Sequence, residues 1–173
     1  DENSRHANVP ATANHTMPVH AITMMATDES TTARSFLAFN NCTNFGAQNF
    51  LSASGTGCSS EAVGRLSGLS GLVYSMGLQA KLDPPLSAGE VMQIFFKTAD
   101  DINIEASQKP GSGFYWSQKG FDQRFGYGRV NANTAVEWVK AGRIPPEVDI
   151  VRPYWFEVLY KDQLTQAVPI MGT

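Results

Sequence analysis

Basic residues are few in this chain: 13 Lys and Arg stand against 16 Asp and Glu, for a formal net charge of -3, and they form no cluster. Nucleic acid therefore finds no electrostatic footprint, although so small an imbalance says nothing about the charge of a substrate. Cysteine is rarer still. The two present, Cys42 and Cys58, are too few for a disulfide framework and lack metal-ligand spacing; they can form one bond or remain free. No apolar run is long enough to span a bilayer, which speaks against a membrane partner, and the first residues lack the basic-then-apolar order of a signal peptide. An export signal would have to lie outside this sequence. The sequons Asn14-His15-Thr16 and Asn41-Cys42-Thr43 matter only in a eukaryotic secretory route.

What is present is enough apolar residue, 42% of 173, to bury a sizeable core. Residues 1–18 are polar, carry Pro10 and Pro18, and read as a loop. Val19 to Ala26 reads as a buried strand, with a polar turn at Asp28-Glu29-Ser30-Thr31-Thr32 behind it. Phe36, Phe39 and Phe45 predict an extended segment against the core, and Phe50-Leu51 a short strand that leads into the loop Ala53-Ser54-Gly55-Thr56-Gly57. Then Ala62, Leu66, Leu69, Leu72 and Val73 recur at helical spacing. Gly64, Gly68 and Gly71 sit among them, and because each helical Gly costs about 1 kcal/mol relative to Ala, they predict a helix buried on several sides with close backbone approach. Ser87 with Glu90 predicts a capping box for a helix over 88–99. Residues 103–125 lack a sustained period and read as loops or a hairpin. Asn131 predicts the cap of a helix over 132–141, which Gly142 closes. Pro145-Pro146 marks a boundary, so residues 1–145 form the main domain and 146–173 an extension or the start of an adjoining module, with strand propensity from Tyr154 to Tyr160.

The most informative stretch is Gly57-Cys58-Ser59-Ser60-Glu61-Ala62. A serine where a Gly-containing loop meets a packed helix is well placed for nucleophilic attack, because the first helical turn offers unpaired N–H groups to a developing oxyanion. A bare serine in that position is otherwise only a helix cap.

Several further segments carry a resemblance. His20-Ala21-Ile22-Thr23-Met24-Met25-Ala26-Thr27-Asp28 resembles a core strand of the subtilisin-like serine proteases and the turn after it. Asn44-Phe45-Gly46 and Leu51-Ser52-Ala53-Ser54-Gly55 resemble that family's N-F-G and A-P-G elements, with Ser54 where proline is usual. Lys97-Thr98-Ala99-Asp100-Asp101 resembles the end of the helix after the nucleophile helix, and Phe125-Gly126-Tyr127-Gly128-Arg129-Val130-Asn131-Ala132 the segment that opens its last core helix. The resemblance spans about residues 1–142. It implies the C-terminal part of a three-layer α/β fold on a mostly parallel sheet, and a secreted serine-type endopeptidase acting on peptide or protein substrates.

The family's nucleophile segment reads G-T-S-x-A-x-P. Matching Gly55-Thr56-Gly57 literally puts glycine at the nucleophile and implies an inactive binding or structural module. Aligning on the helix through Ser67-Gly68-Leu69-Ser70-Gly71 puts Ser60 there and Ala62 at the family's alanine. The second register is preferred, because a buried helix fixes spacing whereas a loop changes length at little cost. Ser59 is then the second candidate nucleophile. Cys58 and Ser59 stand where the family has Gly and Thr, and Gly64 where it has Pro.

The resemblance implies that the catalytic aspartate, the histidine and the oxyanion asparagine lie on a complementary N-terminal fragment, since neither the aspartate motif nor H-G-T occurs here. His6 and His15 read as solvated loop residues and His20 as local packing. Asp28, Asp100 and Asp101 read as turn and helix-end residues. A thiol hydrolase built on Cys58 lacks an identifiable histidine, and a bond between Cys58 and Cys42 is what the resembled fold would allow. No cofactor is required; structural calcium is compatible with the family, but no EF-hand loop pattern occurs.

Overall fold

The computed structural model describes residues 19–25, 35–39, 45–46, 49–55, 59–102, 117–147, 150–152, 160–163 and 167–172. It is a mixed helix-and-strand domain. Strand β1 (Val19–Met25) lies between β2 (Ser35–Phe39) and β3 (Leu51–Ser54), followed by α1 (Ser59–Gln79), α2 (Ala88–Thr98) and α3 (Ala132–Lys140). β1 pairs with β2 in antiparallel fashion, Ile22 opposite Phe39, and with β3 in parallel, His20 opposite Ser52. A short antiparallel pair, β4 (Ile150–Arg152) and β5 (Met171–Gly172), lies in the segment beyond Pro146.

Local chemistry accounts for the helix boundaries. The Ser87 hydroxyl accepts from Glu90 N–H while the Glu90 carboxylate accepts from Ser87 N–H, the reciprocal capping box expected for α2. Asn131 Oδ1 accepts from Thr134 N–H at the start of α3. At its end, Gly142 N–H bonds to Val139 O and Arg143 N–H to Trp138 O, a Schellman closure around a glycine at φ +67.

β3 shows how the sheet meets the helices. Its side chains alternate, so Leu51 and Ala53 enter a core shared with Ala62, Leu66 and Val73 of α1, Val91, Ile94 and Phe95 of α2, and Ala135 and Val139 of α3. The buried Ser52 hydroxyl donates instead to Phe125 O. The segment after Phe125 then runs beside β3: Tyr127 N–H bonds to Phe50 O, Ser52 N–H to Gly128 O, and Val130 N–H to Ser52 O. Gly126 and Gly128 make that approach workable. A Cβ on Gly126, at φ +68, would lie 2.3 Å from the Phe50 carbonyl, and one on Gly128, at φ +122, 2.2 Å from Asp100 O.

Among the described residues the sheet is mixed: β1 pairs antiparallel with β2 and parallel with β3, and Ser52 forms a parallel bridge with Arg129. Two expectations need correction. Ala53 and Ser54, expected in a loop, complete β3, and α1 is not covered on several sides. α1 packs on β1, β3 and α3, but its other face is open, with Val63 49%, Leu72 46%, Tyr74 42% and Leu78 52% exposed. Gly64, Gly68 and Gly71 belong to that open side, and no described atom lies within 4 Å of where a Cβ would stand. The close approach falls at Gly77, where a Cβ would come 2.8 Å from Leu86. Leu69 is half-buried against the core.

Candidate active site

Ser60 occupies the first turn of α1, five residues beyond Gly55, and its side chain is exposed. The backbone on both sides is anchored: Gly55 is buried at the end of β3 and Ala62 is fully buried beneath the helix. The order of β3 and then α1 thus puts a serine at a helix start, with Ala62 buried beneath it. In this position the Ser60 N–H belongs to the first helical turn, whose donors have no acceptor within the helix.

Arg65 completes the local arrangement. Its Nη1 donates to Ser54 Oγ and its Nη2 to Glu61 Oε1, so one guanidinium joins the last residue of β3 to the residue after Ser60. Ser54, where the resembled pattern has proline, supplies the hydroxyl. The Glu61–Arg65 half was legible as an acid four residues before a base on a helix, but the Ser54 half depends on strand-to-helix packing.

Around segment 122–131 the motifs that carried the resemblance meet. Arg129 and Asp100 exchange backbone hydrogen bonds of 2.8 Å in each direction. Their side chains pair as well, Arg129 Nη2 to Asp100 Oδ2 at 2.8 Å, and Asn131 Nδ2 donates to Asp100 Oδ1 at 2.9 Å. Burial opposes ionisation of Asp100, but the hydrogen bonds from Arg129 and Asn131 and the guanidinium charge prevail and hold its carboxyl below the ordinary range. Gly46 N–H bonds to Gln123 O at 2.9 Å, and the Arg124 guanidinium sits 3.5 Å from the Phe45 ring centre. Tyr127 stacks on Phe96 at 4.8 Å. Asp101 Oδ2 accepts from Gly120 N–H. Asp100 and Asp101 therefore serve as ties between segments.

Asp122 has the opposite electrostatic character. Its Oδ1 accepts from Arg124 N–H at 2.7 Å and Phe125 N–H at 2.9 Å, while its buried Oδ2 meets no donor among the described residues. Burial, aided by the Asp101 charge, raises its pKa against the pull of those two N–H groups. A raised folded-state pKa contributes stability below the unfolded value that is lost as pH rises through the folded one. Asp122→Asn removes the charge and keeps an oxygen acceptor for the two N–H groups. Its stability relative to the parent should therefore improve from pH 4 to pH 7, read as the difference in urea midpoints; a flat or reversed difference would refute the assignment.

His20 lies in β1 with its backbone opposite Ser52. His6, His15, Asp28, Cys42, Thr56, Gly57 and Cys58, with the expected turn at 28–32 and the strand propensity at 154–159, fall outside the described residues; of Ser59 only the helical backbone is described. Among the described residues no three of His, Cys, Asp or Glu gather so as to hold a metal ion. No described helix is long and apolar enough to cross a membrane. No family model matches the chain, and neither a curated protein nor a solved structure does.

Proposed function

We propose that this chain is the nucleophile-bearing, C-terminal part of a secreted subtilisin-like serine endopeptidase, with Ser60 as the nucleophile. The observation that carries the reading is the placement of Ser60 on the first turn of α1 directly after β3. In this mechanism a histidine on the preceding part of the protein, oriented by an aspartate there, takes the Ser60 proton as Oγ attacks the scissile carbonyl. The Ser60 N–H and an asparagine side chain from that same part hold the oxyanion. The histidine then protonates the leaving amine, and water, deprotonated by the same histidine, releases the acyl group and restores Ser60.

The open face of α1 supports the same reading. Val63, Leu72, Tyr74 and Leu78 are exposed beside Gly64, Gly68 and Gly71, a surface that a complementary N-terminal fragment of the domain would cover as a third layer. Residues 1–173 alone should show no peptide turnover, because none of His6, His15 and His20 stands in a sequence context that marks it as the base Ser60 needs. The test compares them with the same chain joined to the protein's preceding segment, which should cleave peptides. Turnover by residues 1–173 alone that vanishes in Ser60→Ala would contradict the two-part site, and absence of turnover in the joined protein would favour the inactive module.

A further inference from the structure

We propose that Arg65 is a positioning residue for Ser60: its guanidinium ties the first turn of α1 to the end of β3 and so fixes where the Ser60 hydroxyl stands relative to the sheet. This rests on the reading of Ser60 as the nucleophile. Ser54 ends β3 and Glu61 follows Ser60, and Arg65 donates to both side chains from the two nitrogens of one planar fork. A rigid fork holds two acceptors at a set separation, which a lysine ammonium on a flexible stem does not. The first turn of a helix is where such a tie has most effect, since its N–H groups lack helical acceptors and local opening begins at helix ends. Ser60 itself is exposed, so side-chain packing does little to hold it.

The ion-pair side chains retain 47% and 34% of their exposure, and pairs this open add little to global stability. Their consequence is local. A nucleophile displaced by about 1 Å loses roughly a hundredfold in rate, so a weak tie at this point can matter greatly for turnover.

The experiment uses the full-length protein as parent, Arg65→Met, Arg65→Lys and Ser54→Ala. It measures kcat and KM on a peptide substrate, hydrogen exchange of the Val63 and Gly64 amides, which close the first turn of α1 by donating to the carbonyls of residues 59 and 60, and the urea midpoint. Arg65→Met should lower kcat about ten- to a hundredfold with KM within about twofold, and should speed first-turn exchange about tenfold at an unchanged midpoint. Arg65→Lys should recover part of both effects, and Ser54→Ala should reproduce part of the loss. Unchanged exchange in Arg65→Met overturns the proposal. So does a fall in kcat matched by a fall in midpoint, the mark of a merely structural role. Were the parent to turn over no peptide, the nucleophile reading would fail by itself, and the exchange measurement would still decide whether Arg65 holds the turn.

Discussion

Gly126→Ala should cost the domain roughly 3–5 kcal/mol, a large share of the stability of a domain this size. Two effects add. At φ +68 any residue with a Cβ takes on about 1–2 kcal/mol of backbone strain. The new methyl would also lie 2.3 Å from the carbonyl carbon and oxygen of Phe50 and 2.7 Å from Asn49 O. These are backbone atoms at the entry to β3, and moving them breaks the Tyr127-to-Phe50 hydrogen bond of 2.7 Å and loosens Leu51 in the core. Gly120→Ala is the internal control, since Gly120 also has positive φ, +83, but no described atom within 4 Å of the added Cβ; it should cost only about 1–2 kcal/mol. Urea unfolding of the full-length protein, followed by circular dichroism, reads both. Equal midpoints for the two variants would show that the contact with β3 is not what holds this segment in place.

Ser60→Ala should lower kcat/KM of the full-length protein by about 10⁴-fold or more, since no other group replaces the nucleophile oxygen. Stability should change by less than about 1 kcal/mol, because Ser60 is an exposed first-turn residue. Ser59→Ala separates the two candidate registers. If Ser59 is only a structural neighbour, its truncation should cost less than about tenfold in rate. A larger loss for Ser59→Ala than for Ser60→Ala would shift the nucleophile by one residue.

How far the sequence could be read depends on how local each determinant is. Ser87 with Glu90, and Asn131 with Gly142, announce α2 and α3 because their caps bond to backbone within a few residues. β1 and β2 follow from short apolar runs between polar breaks, whereas only the start of β3 does: its Ser52, Ala53 and Ser54 carry no apolar run, and Ala53 and Ser54 read as loop. The environment of α1 was harder to read. Gly64, Gly68 and Gly71 record that the helix face is narrow but not what lies against it, and no described atom stands close to them while Gly77 meets Leu86 from a following loop.

The site divides in the same way. Ser60 is a candidate from the sequence because small residues run into a helical period in one stretch of chain, and the structure adds its place on the first turn of α1. The bond from Arg65 to Ser54 spans 11 residues and exists only once β3 has packed beside α1. The pairing of Asp100 with Arg129 and Asn131 spans 29 and 31 residues, so the two motifs could be noticed separately but not seen to touch.

The most direct test of Ser60 as nucleophile is covalent capture. A fluorophosphonate reacts with a serine oxygen only when that oxygen is activated by a base and an oxyanion site. The full-length protein, treated with such a probe and digested, should carry the phosphonyl mass on the peptide containing Ser60, and Ser60→Ala should carry none. An adduct on a different residue, or peptide cleavage by a protein that the probe leaves unmodified, would contradict the account.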